Sequence, residues 1–311
     1  MDAVISYPGA KWRFYKHIKP YIPTDIKDWR EPFFGGGSMS LSIAADPDFN
    51  LERMVVGDLA PEIWAFWAGC RDHAPEVVEI AKNLFSSHCP TQLTLSQMDT
   101  LDPDYAKAAE EALAEGRAFW NWTQTVDCSK MSIPERAART LLVNKISFSG
   151  MGDSGSISKD QFYNFHFGKL NPVLEAQPLL QKMEIKNVSF EETMKDVDPE
   201  KTFIFLDPPY YRQESSGLYG RGGDTHKGFP HEKFAEVTKN TNCKWFITYD
   251  DSIKVRKMFR GKAVYGGRCI IKPFQIPGGY TLAGKTAEDA LDGEEVFITN
   301  YRLDYDAETD D

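Results

Sequence analysis

Short apolar runs alternate with helix-length amphipathic segments at both ends of the chain. The continuous apolar runs at 202–206 and 244–249 are typical of strands buried on both faces of a parallel sheet. Further strands are expected at 28–34, 54–58, 183–190, 268–273 and 295–303, the last two as an antiparallel pair. Helices are expected at 38–45, with Ser38 as N-cap, and at 61–68, 76–84, 104–125, 134–144 and 230–240. Strands that alternate with helices predict a doubly wound α/β sheet.

The middle of the chain has a different character. Residues 70–145 carry apolar residues at helical spacing and are expected to be mainly helical. Residues 146–172 are rich in Gly, Ser, Asp and aromatic residues, which predicts a long loop whose aromatics serve function more than packing. A second loop, rich in Gly and Ser, is expected at 213–228.

The composition excludes several classes of protein. The 311 residues are 41% hydrophobic and 26% charged, which is ordinary for a globular chain of one large domain or two closely associated ones. No apolar stretch reaches the roughly 18–20 residues that a membrane helix needs, and residues 1–6 lack the features of a secretory signal. A cytoplasmic protein without a membrane partner is therefore expected. Five scattered cysteines without a C-x-x-C, and six histidines without an i, i+4 pair, predict reduced thiols and no metal site.

The net charge of −10 argues at first against a nucleic-acid partner, but it is unevenly distributed. Residues 288–311 hold ten acids and one base, which leaves a charge of −1 on the other 287 residues. Residues 117–186 hold nine bases and six acids, a local excess of +3. This positive excess is equally consistent with a solvated face and with a nucleic-acid-binding region. The stretch 288–311 is consistent with an acidic, partly disordered terminus.

The clearest chemical signal is a segment of four residues that directly follows the predicted buried strand 202–206: Asp207, Pro208, Pro209 and Tyr210. Ligands of open α/β sheets bind at the carboxyl ends of the strands. The segment places a carboxylate, a backbone carbonyl and an aromatic ring there, which are the groups needed to hold the exocyclic amine of a flat base and to stack on the base. The alternative is a rigid Pro-Pro turn followed by a core tyrosine.

Two further segments add weaker signals. Three glycines, Gly35 to Gly37, separate a predicted strand from a helix in the sequence EPFFGGGS at 31–38. They allow a ligand to approach the backbone, although the spacing is neither that of a dinucleotide-binding loop nor that of a P-loop, and a plain glycine turn is the alternative. Asp58 ends the next predicted strand, where an acid can accept from ribose hydroxyls.

The sequence YPGAK at 7–11 predicts a turn that exposes the Tyr7 ring and the Lys11 ammonium, which can meet a carboxylate.

In this order, the segments at 7–11, 31–38 and 207–210, together with Asp58, resemble the Dam-type (D12 class, α group) DNA adenine-N6 methyltransferases. The α group places the cofactor motif first, the target-recognition region in the middle and the DPPY motif last. The sequence LLVNKISFSGM at 141–151 is similar to the family's L-N-R-x-x-x-N-G-L segment, and FHFGK at 165–169 to its V-P-F-G-R/K segment, so that the resemblance covers residues 4–303. It implies a Rossmann-like S-adenosylmethionine-dependent methyltransferase fold, with a catalytic domain at 1–69 and 187–311 and a mainly helical target-recognition domain at 70–186.

The resemblance also implies roles for individual residues. Cofactor contacts are expected from Tyr7, Lys11, Phe33, Gly35, Gly37, Asp58, Phe190 and Asp207. The catalytic residues are expected to be Asp207, the Pro208 carbonyl, Pro209 in the turn and Tyr210 as the stacking ring. Contacts with DNA are expected from Lys145, Phe148, Ser149, His166, Lys169 and Arg212. The implied reaction moves a methyl group from S-adenosylmethionine to N6 of an adenine flipped out of double-stranded DNA at a specific site, without a metal, in a monomer or weak dimer.

Departures from the family pattern bear on specificity. Ser6 stands where the family often has a lysine, and Phe148 and Ser149 stand where it has a Tyr-Asn pair. Those positions touch DNA in relatives, so GATC specificity is not implied. N4 methylation of cytosine is an alternative, because the hydrogen-bond acceptors and the aromatic ring of 207–210 suit any exocyclic amine on a flat base. A catalytically silent DNA-binding relative is disfavoured by the intact Asp207 and Tyr210, and methylation of RNA or of a protein amide by the size of 70–186. A chromosomal, restriction–modification or phage role is equally open.

Overall fold

Two compact units make up the chain in the computed structural model, which describes residues 3–7, 9–91, 103–211, 228–275 and 294–302. Unit 1 consists of Met1–Ala10, Ala60–Gln181 and Gly217–Asp224. Unit 2 consists of Lys11–Leu59, Lys182–Ser216 and Thr225–Asp311. Unit 1 thus contains most of the segment 70–186 that the sequence assigns to target recognition, together with the start of the chain. The division of functions between two domains remains a prediction.

The described residues form helices in both units and a sheet in unit 2. The helices are α1 (Tyr15–Ile18), α2 (Ser38–Ala45), α3 (Pro61–His88), α4 (Pro103–Thr125), α5 (Ile133–Ile146), α6 (Lys159–Tyr163), α7 (Asn171–Leu180), α8 (Phe190–Thr193), α9 (His231–Asn240) and α10 (Ile253–Met258). The strands are β1 (Asp28–Glu31), β2 (Arg53–Gly57), β3 (Glu184–Lys186), β4 (Thr202–Leu206), β5 (Lys244–Asp250), β6 (Ile270–Gln275) and β7 (Glu294–Thr299). Helices α3 to α7 lie in unit 1 and the others in unit 2.

The sheet of unit 2 has seven strands in the order β3-β2-β1-β4-β5-β7-β6. Strands β1 to β5 are parallel to one another, whereas β7 runs antiparallel to both β5 and β6. The strand order reverses between β1 and β4, and this switch point is where doubly wound sheets bind ligands. The predicted α/β sheet, with an antiparallel pair at its end, is therefore confirmed.

Strand β4 shows why the apolar runs are reliable signals. All five of its residues are buried. Ile204 and Leu206 belong to a cluster with residues of β5, α9 and α10, whereas Phe203 and Phe205 stack on Trp29 of β1 at centroid distances of 5.8 and 6.0 Å. Both faces of the strand are thus covered, as in other parallel sheets with helices on both sides.

Two boundary predictions in unit 2 are wrong in detail. Helix α2 is preceded by Gly37 in the left-handed conformation (φ 70°), so Gly37 is the N-cap, and Ser38 begins the helix. The Ser38 hydroxyl accepts a hydrogen bond from the Lys11 backbone N–H at 3.0 Å instead of capping α2. The strand expected at 183–190 is short, because β3 ends at Lys186 and Phe190 already begins α8.

Unit 1 is built around the pair α3 and α5. Helix α3 is bent at His73, whose backbone leaves the helical region (φ −136°, ψ 29°) two residues before Pro75, since proline removes a hydrogen bond and clashes with the preceding turn. A Cβ on Gly69 would lie 2.6 Å from the Cβ of Ala137, so the glycine permits the close approach of the two helices. The Arg139 guanidinium is buried, and it donates to the carbonyl of Thr123 and to both carboxylate oxygens of Asp153.

The segment 146–172 is not the irregular loop that its composition predicts. Short helical turns occupy 148–150, 152–154 and 167–170, besides α6 and the start of α7. Its aromatics mostly pack: Phe162 and Tyr163 are buried, and the ring of Phe165 lies 4.5 Å from that of Phe85 on α3. Phe148 is the exception, with 47% of its surface exposed. Packing therefore explains most of the aromatics for which we expected a function.

Three predictions fall outside the described residues: the loop at 213–228 except its last residue, most of the acidic tail, and Arg212. Across the described ranges, no helix has the length and apolar character needed to span a membrane. The same ranges contain no group of three or more His, Cys, Asp or Glu side chains placed to hold a metal ion.

Candidate functional site

Asp207 lies immediately beyond β4, at the switch point of the sheet, and is held from two sides. Its two carboxylate oxygens each lie 3.0 Å from Nζ of Lys11, and Oδ1 also accepts from the Thr248 hydroxyl of β5 at 2.6 Å. The Lys11 side chain is only 3% exposed, while that of Asp207 is 22% exposed. Lys11 is therefore buried rather than exposed as its turn predicts, although its ammonium does meet a carboxylate. The opening to solvent lies on the Asp207 side of the pair.

Tyr210 is fixed at its hydroxyl and along its ring. The hydroxyl donates to Oε1 of Glu295 at 2.7 Å. The ring stacks on Tyr249 with centroids 5.9 Å apart and planes at 28°, and the Lys11 ammonium lies 5.1 Å from its centroid. Burial, together with the carboxylates of Glu295 and Asp207, raises the pKa of the phenol well above its ordinary value. Tyr210 therefore stays protonated and remains a hydrogen-bond donor.

The glycine segment forms a tight turn between β1 and α2. Gly35 and Gly37 both have positive φ angles (45° and 70°), which favour glycine strongly. The Gly35 N–H donates to Oδ2 of Asp58, directly after β2, at 2.8 Å. Because β1, β2 and β4 are parallel, the turn, Asp58 and Asp207 share one edge of the sheet. The structure thus brings these sequence-predicted residues together, and it shows that Asp58 supports the turn.

A buried acid, Glu31, lies beneath the same turn at the end of β1. Its carboxylate accepts from the Ser40 N–H at 3.0 Å and from the Ser40 hydroxyl, which itself accepts from the Trp29 indole at 2.7 Å. Burial, opposed by the hydrogen bonds from Ser40, raises the pKa of Glu31 to about 8. The negative charges of Asp207 and Asp58 act in the same direction as burial. Glu31 is therefore mainly protonated at neutral pH, which lowers the negative charge of the site.

Phe33 and Phe190, two of the predicted cofactor contacts, are in contact with each other in unit 2. Their rings are stacked with centroids 5.8 Å apart and planes at 27°. Phe190 is buried and also contacts Phe229 and Phe234, whereas Phe33 is half-buried. Phe33 is thus the more accessible ring of the pair.

Three of the residues expected to contact DNA, Lys145, Ser149 and Lys169, line a polar pocket of about 240 Å³ in unit 1. The pocket is lined by Ser6, Asn144, Lys145, Ser147, Ser149, Gly150, Gln161 and Lys169. Asn144 organises it: its amide accepts from the Ser6 N–H at 3.0 Å and donates to the carbonyls of Ser6 and Gly150 at 2.6 and 2.9 Å. The start of the chain is thereby tied to the end of α5.

The predicted DNA contacts differ in their surroundings. Nζ of Lys145 donates to the carbonyl of Val4 at 2.7 Å, so this ammonium also has a structural role. Ser149 adopts a left-handed backbone (φ 52°) next to the exposed ring of Phe148, a strained conformation that turns the chain sharply. His166 is exposed but does not line the pocket.

Tyr7 is a predicted cofactor contact that belongs to unit 1. It is half-buried, and its carbonyl accepts from the Ala10 N–H at 3.1 Å, which closes the predicted turn. The other residues assigned to the cofactor belong to unit 2. The sequence correctly predicts the turn, and the role of the ring remains a prediction.

Sequence reasoning missed Thr248, Asn144 and Glu295. Glu295 was hidden because it belongs to the antiparallel strand β7, where it pairs with Asp250 at the end of β5. The first residues of an antiparallel strand lie at the edge where its parallel neighbours end. An acid at the start of a closing apolar strand is therefore the signal that could have revealed it.

Comparison with known proteins identifies relatives over most of the chain. Type II methyltransferase M1.LlaDCHI of Lactococcus lactis subsp. cremoris is 24% identical over 237 residues, which are 73% of this chain and 71% of the relative. Type II methyltransferase M.CviBI of Paramecium bursaria Chlorella virus NC1A is 20% identical over 262 residues, 84% of this chain and 87% of the relative. The crystal structure of SMU.472 complexed with SAH aligns with 96% of this chain and 82% of that one, at 13% identity and a TM-score of 0.23. The fold assignment therefore comes from the strand order of the sheet itself.

The family profile described as "D12 class N6 adenine-specific DNA methyltransferase" matches residues 7–268. The matched range begins at Tyr7 and includes the glycine turn, the region 141–169 and the segment 207–210. The resemblance drawn from these motifs is confirmed, as is the prediction of an adenine-specific DNA methyltransferase. The chain belongs to the D12 class N6 adenine-specific DNA methyltransferase family.

Proposed function

We propose that this enzyme transfers a methyl group from S-adenosylmethionine to N6 of an adenine that is turned out of double-stranded DNA at a specific sequence. One observation carries the proposal. At the carboxyl end of β4, Asp207 is held between the Lys11 ammonium and the Thr248 hydroxyl, next to Pro208 and the ring of Tyr210. These groups lie where doubly wound sheets bind ligands.

The reaction needs a better nucleophile than the adenine amine, whose lone pair is delocalised into the ring. Asp207 and the Pro208 carbonyl can each accept one N–H of N6, which draws the nitrogen toward tetrahedral geometry. The carboxylate also offsets the positive charge that develops on nitrogen, an effect typically worth about 10²–10³ in rate for one preorganised group. Tyr210 would hold the base plane by stacking, and Pro209 fixes the turn between them.

The residues of unit 2 fit S-adenosylmethionine, which supplies an electrophilic methyl group on a sulfonium. Gly35 and Gly37 carry no side chains, so a ligand can approach the backbone of their turn closely. Asp58 can accept from ribose hydroxyls while it supports that turn, and Lys11 can pair with a carboxylate. Phe33, packed on Phe190, offers an apolar wall for the adenine ring. We also assign Tyr7 to this site, on the resemblance alone.

On the DNA side, the pocket of unit 1 supports a recognition role for α5 and the following turns. Lys145 and Lys169 supply positive charge, and Ser149 supplies a hydroxyl, at a pocket lined by polar side chains. N6 cannot be reached inside a duplex, so the base must be flipped out. Phe148, half exposed beside the strained Ser149, is the side chain that we assign to the gap left in the duplex.

The remaining assigned DNA contacts rest on the resemblance. His166 is exposed in the turn before Lys169 and can reach a phosphate or a base edge. Arg212 lies outside the described residues, and its role stays a prediction from the sequence.

The test is methyl transfer by the full-length chain from labelled S-adenosylmethionine to unmethylated plasmid DNA, followed by nucleoside analysis. We expect labelled N6-methyladenine and no labelled cytosine. Labelled N4-methylcytosine would overturn the base assignment, and label found in RNA or protein but not in DNA would overturn the substrate assignment. An enzyme that binds DNA and transfers no methyl group would be the silent relative.

A further inference from the structure

Glu295 is a buried acid that neither the fold nor the proposed chemistry requires at first sight. Glu295 is the first residue of β7 whose side chain the structure describes, and it is 2% exposed. The next three residues, Val296, Phe297 and Ile298, are also buried. Its ladder partner is Asp250 at the end of β5, so two acids meet at the edge of the sheet. Burying a carboxylate costs free energy unless it is well paired. An apolar residue would complete this strand at a lower cost.

The contacts of Glu295 point to the Tyr210 ring. Oε1 accepts from the Tyr210 hydroxyl at 2.7 Å. The ring of Tyr210 stacks on Tyr249 of β5, and the next backbone N–H, that of Tyr211, donates to Oδ1 of Asp250 at 2.7 Å. The Tyr210 phenol is thus anchored to β7, while its ring and the backbone of the next residue are anchored to β5. Because β5 and β7 are hydrogen-bonded neighbours, the tyrosine is held against a single rigid element.

The electrostatics of this anchor are consistent with a hydrogen bond that points from phenol to carboxylate. The pKa of Tyr210 is raised well above its ordinary value by burial and by the neighbouring carboxylates. Burial also raises the pKa of Glu295, and the Lys11 ammonium opposes that rise. The phenol therefore keeps its proton and donates a hydrogen bond to the carboxyl oxygen, which fixes the position of the hydroxyl end of the ring.

We propose that Glu295 is a positioning residue for methyl transfer, which holds the hydroxyl end of Tyr210 so that the ring stays in position to stack on the target base. This inference rests on the proposed function of the segment 207–210. Its consequence is specific: loss of Glu295 should lower kcat, because the base would be held less accurately. It should leave the binding of S-adenosylhomocysteine nearly unchanged, since the hydrogen bond of Glu295 goes to Tyr210, which we assign to the target base.

The experiment compares Glu295→Ala, Glu295→Gln, Tyr210→Phe and the double variant Tyr210→Phe/Glu295→Ala in the plasmid methylation assay. Misplacement of a reacting group by about 1 Å can cost about a hundredfold in rate, so we expect Glu295→Ala and Tyr210→Phe each to lower kcat by about tenfold to a hundredfold. The double variant should be no slower than the slower single variant, because both changes remove the same contact. Glu295→Gln keeps an oxygen acceptor and should recover kcat to within about threefold of wild type, since a neutral acceptor loses only the charge contribution of the bond.

Thr299→Val is the matched control, because it removes a side-chain hydrogen bond from the same strand, a 2.9 Å bond to the carbonyl of Tyr301, without touching Tyr210. It should reduce stability and leave kcat unchanged. Independent, multiplying losses in the double variant would overturn the proposal, as would a Glu295→Ala enzyme with wild-type kcat. If Glu295→Ala does not fold, Glu295→Gln and Tyr210→Phe decide the question, because a wild-type kcat in Tyr210→Phe refutes it alone. Failure of the proposed function is distinguishable, since wild type would then form no N6-methyladenine.

Discussion

Replacement of Asp207 by alanine should abolish catalysis and also lower the free energy of unfolding. The carboxylate oxygens lie 3.0 Å from the Lys11 ammonium, whose side chain is 3% exposed. Breaking a buried ion pair by removing one partner typically costs about 3–5 kcal/mol. Asp207 is 22% exposed and the charge of Glu295 remains near Lys11, so we expect a cost just below this range, about 2–3 kcal/mol. The sequence alone predicts an inactive variant with an intact fold; the buried partner changes that expectation.

A second substitution separates the two effects. In Lys11→Met/Asp207→Ala the buried ammonium left without Asp207 is gone, so most of the lost stability should return while methylation stays at least about a hundredfold below wild type. Stability is measured by urea denaturation, and activity by labelled methyl transfer to plasmid DNA. Glu192→Ala serves as control, because its exposed pair with Lys195 should contribute less than about 1 kcal/mol. A double variant no more stable than Asp207→Ala, or an Asp207→Ala enzyme with more than a few per cent of wild-type activity, would refute this reasoning.

Three further predictions address the cofactor, the pH dependence and DNA. Asp58→Ala should weaken S-adenosylhomocysteine binding measured by calorimetry by at least about tenfold, the loss of one charged hydrogen bond, and leave DNA affinity unchanged; an unchanged dissociation constant would contradict the role of Asp58. Because the pKa of Glu31 is raised to about 8, the folded state holds a proton that the unfolded state releases, so stability should fall as pH rises from about 4.5 to about 8. Glu31→Gln should flatten that slope in urea denaturation, and an unaltered slope would show that Glu31 is ionised. Lys169→Ala should weaken DNA binding and lower its salt slope by about one if the ammonium contacts phosphate, or cost about 1–3 kcal/mol at one base position if it reads guanine. Lys145→Ala should weaken DNA binding in the same way and also destabilise the start of the chain. Lys82→Ala is the control and should change neither DNA binding nor stability. If neither Lys145→Ala nor Lys169→Ala alters DNA binding, the recognition surface lies elsewhere.

The sequence predicts the inner part of the sheet well because burial on both faces leaves a local signature. Strand β4 begins and ends where its apolar run does, and β5 extends one residue beyond its run. The glycine turn, Asp58 and Asp207 are also predicted to meet, because parallel strands end at a common edge. These predictions need only the order of elements and not their detailed packing.

The errors come from contacts between residues far apart in the chain. The hydroxyl of Ser38 could cap a helix, but it accepts a hydrogen bond from the Lys11 N–H instead, and Gly37 is the N-cap residue. The aromatics of 146–172 suggest a functional loop, but Phe165 packs against Phe85 of α3. Glu295 becomes visible only after β7 is known to run antiparallel beside β5.

The pairing of β2 with β3 has a consequence for how the chain folds. Val56 lies beside Ile185, yet nearly all of unit 1 intervenes in the sequence. Closing so long a loop is entropically costly and slow when the loop is unfolded. Packing of α3 against α7 in unit 1, where Gln177 donates to the Arg71 carbonyl, shortens the effective loop before the strands meet. We therefore expect β3 to join the sheet late, so that a destabilising substitution such as Ile185→Ala accelerates unfolding in stopped-flow experiments and leaves the refolding rate nearly unchanged.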